Sequence, residues 1–69
     1  MEALQISLAA ARVNARMTQA EVAEKLRISK QTVNNWENGK SSPSFATLNT
    51  LAGMYRIPVE YIFLPVKST

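Results

Sequence analysis

The sequence predicts an all-α domain of five short helices, and three observations carry that expectation. Apolar residues recur at three- and four-residue steps through successive segments. Thr18, Ser29 and Ser44 stand where helix N-caps belong, just ahead of three of those segments. No stretch alternates apolar with polar residues as a half-exposed strand does. Short connections then give a compact domain whose contacts are mostly local.

The first helix is expected over roughly residues 3 to 15, with Leu4, Leu8, Ala11 and Ala15 on one face. Ile6, Ala9 and Val13 widen that face. Met17 and Thr18 lead into the second helix; Thr18 caps it, and Glu21 completes a capping box while placing an acid in the first turn. This helix begins at Gln19 and turns Val22, Ala23 and Leu26 inward, with Ile28 in the bend that follows. Ser29 caps a third helix from Lys30 to about Asn38, which buries Val33 and Trp36. It stops at Gly39, the residue best able to adopt a left-handed conformation after a helix. Lys40-Ser41-Ser42-Pro43 has loop composition, and Ser44 caps a fourth helix over about 45 to 55, where Leu48, Leu51, Ala52 and Tyr55 share a face. Pro58 opens a short fifth helix, in which Val59, Ile62 and Phe63 close over the core before Pro65 ends it.

At 69 residues the chain is expected to form one domain, with a core over about 4–64 and a short tail over 65–69. Without cysteine or histidine it has no disulfides and none of the usual thiolate or imidazole metal sites, so no metal and no cofactor are expected. Its 46% apolar content has no run near the roughly 20 residues that span a bilayer. Glu2 stands where a secretory signal would carry a basic residue, which makes the cytoplasm the default location. A net charge of +3 and a pI near 9.7 favour an anionic partner. Catalysis is not expected, because there is no His or Cys, no Gly-rich phosphate cradle and no cluster of carboxylates.

The central stretch Gln19 to Gly39 holds two short helical patterns only a few residues apart. The second leaves Lys30, Gln31, Asn34 and Asn35 on the face its apolar residues do not use, and such side chains suit the edges of DNA bases. Together with Arg12, T-Q-A-E-V-A at 18–23, E-N-G-K at 37–40, Pro43, Ser44 and L-x-x-L-A at 48–52, the chain resembles the phage repressor and Cro-type helix-turn-helix family. These are small five-helix DNA-binding domains of the lambda-repressor kind, and the resemblance covers about residues 4 to 64.

The resemblance implies that the third helix lies in the major groove of double-stranded DNA, with Lys30, Gln31, Asn34 and Asn35 at base edges. Gln19, Thr32, Asn38, Lys40, Ser41 and Ser42 become phosphate ligands, which position the domain without carrying sequence information. Arg12 and Glu37 become a structural ion pair joining the first helix to the third. The family often has glycine where this chain has Arg16, Arg27 and Arg56. A non-glycine residue at positive φ costs on the order of 1 kcal/mol, and a cation beyond a helix C-terminus recovers roughly 0.3–1 kcal/mol. The two effects nearly cancel.

A domain of this kind reads only a few base pairs, so specificity calls for a homodimer on a palindromic operator. The resemblance places the dimer surface near the domain's end, here Tyr55, Pro58, Tyr61 and Leu64. The expected function is a Cro-like or other minimal repressor, since 69 residues leave no room for a separate sensing domain. The alternative is a protein-interaction module of the same fold, an antitoxin or partner-sequestering regulator, using Ile62-Phe63-Leu64.

Overall fold

A computed structural model describes residues 5–65. Its elements run β1 (Ile6–Ser7), α1 (Leu8–Asn14), α2 (Gln19–Leu26), α3 (Lys30–Asn38), α4 (Phe45–Tyr55), a 3₁₀ turn (Val59–Tyr61) and β2 (Ile62–Phe63). Among the described residues there are four α-helices where five were expected. The fifth is a single 3₁₀ turn followed by extended chain, and β2 pairs in parallel with β1 through Ile6 with Ile62 and Ser7 with Phe63. None of the described helices is long and apolar enough to cross a membrane.

The first helix starts later than expected for a local reason. Ser7 is extended and its side chain accepts a hydrogen bond from Ala10 N at 3.0 Å, so it acts as the N-cap, and Ile6 with Ser7 itself pairs with β2. Leu4 and the expected start at residue 3 lie outside the described residues, as does the tail beyond Pro65. The other three helices begin in the same way. Thr18 accepts from Glu21 N at 3.0 Å, Ser29 from Thr32 N at 3.1 Å and Ser44 from Thr47 N at 3.2 Å. Glu21 returns a bond from Thr18 N at 2.8 Å and closes the capping box.

Each of the four described helices is followed by a residue at positive φ: Arg16 (60°), one beyond the Ala15 cap of α1, then Arg27 (58°), Gly39 (79°) and Arg56 (58°) directly after α2, α3 and α4. The next residue bonds back five positions, Met17 N to Arg12 O (3.2 Å), Ile28 N to Ala23 O (3.0 Å), Lys40 N to Asn35 O (2.9 Å) and Ile57 N to Ala52 O (3.0 Å). This is the Schellman pattern, and Met17, Ile28 and Ile57 pack against the core immediately after their turns. Gly39 carries a second requirement. A Cβ there would meet the Cβ of Pro65 at 3.1 Å, so the chain's last described residue packs where only glycine fits without adjustment.

Leu8, Val22, Val33 and Leu51, one from each helix, are fully buried and meet Ala11, Ala23, Ala52, Tyr55 and Ile62 in one core. Burying each large aliphatic chain contributes about 1.5–3 kcal/mol. Ala23 and Val22 share α2's inner face, and Ala23's small side chain lets α2 and α3 approach closely. Trp36, Leu26 and Leu48 are half-buried around this centre. Two expected core residues turn outward instead. Val13 is 60% exposed because α1 spends its buried face on Leu8 and Ala11, and Phe63 is 43% exposed because strand alternation turns it away once Ile62 faces in.

Candidate nucleic-acid interface

α3 is fixed from behind and open in front. Val33 is buried against the core, while Gln31 is exposed and Asn34 and Asn35 are half-buried. Gln19 at the start of α2 joins Lys30, Gln31 and Asn34 around an open concavity of about 400 Å³. Three of the four expected base readers therefore share one surface with the first residue of the supporting helix. Asn35 does not line it.

The charge on α3 runs against its dipole. Lys30 occupies the first position, where a cation typically costs 0.3–1 kcal/mol, and the first turn has no acid. A local misfit of this sort is expected at a functional site. Here the lysine sits beside exposed Gln31 and half-buried Asn34, whose amides can donate to and accept from base edges.

Glu37 ties three helices together. Arg12 on α1 donates from Nε to Glu37 Oε2 at 2.7 Å and from Nη2 to Oε1 at 3.3 Å, while its Nη1 donates to Met17 O at 2.8 Å. The pair is largely buried, with side-chain exposures of 15% for Arg12 and 5% for Glu37. The hydrogen bond to Glu37 raises the Arg12 pKa above its ordinary value, against a smaller opposing effect of burial. Gln19 completes the cluster by donating from Nε2 to Glu37 Oε1 at 2.9 Å. The side chain expected to meet a phosphate is thus also bonded to α3, with one N–H still available.

Two further contacts were not read from the sequence. Gln31 Nε2 donates to Asn35 Oδ1 at 2.9 Å, and Asn38 Nδ2 donates to Asn34 Oδ1 at 2.8 Å. Their four-residue spacing, which places side chains one above another on a helix, was the available signal. Thr32 is engaged at the N-cap through a 2.8 Å contact between its hydroxyl and that of Ser29. Lys40, Ser41 and Ser42 are exposed on the loop after α3, and the N–H groups of Lys40 and Ser41 bond to Asn35 O.

A buried, ion-paired scaffold supporting a short helix with an amide-rich outer face agrees with the family comparison. The matching family is described as helix-turn-helix, of Cro/C1 type, and residues 8–62 match it. The chain belongs to this family. No curated protein matches it closely enough to count as a relative. As a Cro/C1-type helix-turn-helix protein it is a DNA-binding transcription regulator whose partner is double-stranded DNA.

In this helix-turn-helix unit, Arg27 occupies the turn between α2 and α3 at φ 58°, with its N–H bonded to Ala23 O and Glu24 O. The arginine is accommodated by left-handed backbone rather than by a different turn. Among the residues expected at a dimer surface, Tyr55 requires correction. It is only 6% exposed, because its helical face points into the core, whereas Tyr61 is 39% exposed and Pro58 is also exposed.

Proposed function

We propose that this regulator is a Cro-like or minimal repressor that binds a palindromic operator as a homodimer with α3 in the major groove. Lys30, Gln31, Asn34 and Asn35 supply base readout, with lysine donating to guanine and amides pairing with adenine. Gln19, Thr32, Asn38, Lys40, Ser41 and Ser42 hold phosphates on either side, and Arg12 with Glu37 fixes α3 on its support. The observation that carries this reading is the open concavity shared by Gln19, Lys30, Gln31 and Asn34, on a helix whose Val33 is buried in the core. Repression follows if the bound dimer occludes a promoter.

The test is selection of bound duplexes from a random pool. The expected result is a palindromic consensus whose half-sites lie about 34–36 Å apart, one turn of DNA. Enrichment of no sequence removes the proposal. Phe63, 43% exposed, favours a second reading in which this fold binds a protein partner. Of the three apolar residues Ile62 to Leu64, however, Ile62 is buried and Leu64 half-buried, which leaves little continuous surface. Co-purification of a stoichiometric partner by a chain that selects no DNA would establish that alternative.

A further inference from the structure

The amides of α3 do not present themselves independently. Gln31 donates one N–H to Asn35 Oδ1 at 2.9 Å, which leaves Gln31 with its Oε1 acceptor and one N–H. Bidentate pairing with adenine uses an amide oxygen and the N–H on the same edge, while the second N–H points away from that edge. Asn35 can hold the second N–H without competing for adenine. It stands one helical turn further along α3, is half-buried, and stays outside the concavity that Gln31 helps to line.

We propose that Asn35 is a positioning residue that acts on base sequence through Gln31. This rests on the DNA-reading role proposed above and narrows it, since Asn35 then serves readout through Gln31 and does not itself pair with a base. Glutamine is among the side chains that lose most rotamer freedom when fixed, and a bond present in the free protein removes part of that loss before DNA arrives. The bond also sets which way the Gln31 amide faces. A glutamine turned over would present its donor and acceptor in the reverse order and lose its match to adenine N7 and N6.

The experiment selects duplexes from a random pool with the wild-type protein and with Q31A, N35A and N35D, then measures binding to the selected duplex with each adenine replaced in turn. The wild type is expected to prefer adenine at one position per half-site by roughly tenfold, and Q31A to lose that preference. N35A should cut the preference at the same position at least about threefold although Gln31 is intact, as expected for residues in one hydrogen-bonded network. N35D keeps an acceptor for Gln31 and should retain the preference even as its added charge weakens binding to all sequences. Alanine is a strong helix former, and a ratio between bases does not change when total affinity falls.

If N35A keeps the full adenine preference at Gln31's position and loses preference at a different base pair, Asn35 is an independent reader and the inference is overturned. If N35D loses the adenine preference as completely as N35A, acceptance of the Gln31 proton is not the cause and the inference also fails. A wild-type protein that enriches no sequence overturns the DNA reading itself, and the positioning role with it.

Discussion

Tyr55 shows how one buried polar atom links stability to pH. Its hydroxyl is inaccessible and has no hydrogen-bond partner among the described residues, close enough to Glu37 and Arg12 to feel both charges. Burial is the main effect and the negative charge of Glu37 adds to it, so the phenol is pushed up from 10.0 to about 12. The folded state therefore holds a proton that the unfolded chain releases near pH 10. The stabilisation is complete below that pH and is lost as pH rises toward about 12. Urea unfolding across this alkaline range should show the wild type losing stability more steeply than Y55F. At neutral pH Y55F should be equally stable or more stable, because phenylalanine fills nearly the same volume without an orphaned hydroxyl. Parallel alkaline slopes for the two proteins would exclude Tyr55 as the titrating group.

At the scale of elements, the four helices share one construction, a Ser or Thr cap at the start and a left-handed residue at the end, yet the four ends are not equivalent. Arg27 and Arg56 are exposed beyond α2 and α4, where the gain from the helix dipole offsets much of the cost of positive φ. Replacing either by glycine should leave the melting temperature unchanged or raised. Gly39 combines φ 79° with the 3.1 Å approach that a Cβ would make to Pro65. G39A should therefore cost at least about 1 kcal/mol, or roughly 4–8 °C in a domain of this size. Thermal melts check all three variants, and a clear loss for both arginine variants would reveal side-chain contacts beyond the caps. The caps also explain what was legible in the sequence. Thr18, Ser29, Ser44 and Gly39 announce their roles by residue type and spacing, and they bound α2, α3 and the start of α4 closely. Ser7 was overlooked because apolar Ile6 and Leu4 continue the periodicity of Leu8 across it. The β1 and β2 pairing was illegible for a simpler reason: two-residue strands are too short to show alternation, and their partner lies more than fifty residues away.

For the molecule as a whole, the net charge of +3 is less informative than where the cations stand and which are committed. Arg12 is neutralised by Glu37, and Arg16, Arg27 and Arg56 lie at helix ends. Lys30 and Lys40, both exposed, lie at opposite ends of α3, so positive potential brackets the helix proposed to read DNA. Residue type and spacing marked Lys30 and the amides of Gln31, Asn34 and Asn35 as one face, whereas Lys40 was placed beside it by the family resemblance. Spacing did not reveal that Gln19 is shared with Glu37, because that bond depends on how α2 and α3 meet. The different positions of the lysines predict different losses. Lys30 lines the concavity with Gln31 and Asn34, so its removal should alter base preference. Lys40 follows the helix on an exposed loop, its backbone held by Asn35 O and its side chain free to reach a phosphate. K40A should weaken binding to specific and random duplexes alike and reduce the slope of log affinity against log salt by roughly one unit. The fold should survive, since an exposed loop lysine contributes only a few tenths of a kcal/mol through the nearby helix C-terminus. Affinity measured across a salt series separates the possibilities: an unchanged slope removes Lys40 from the phosphate contacts, whereas a change in base preference moves it to the reading face.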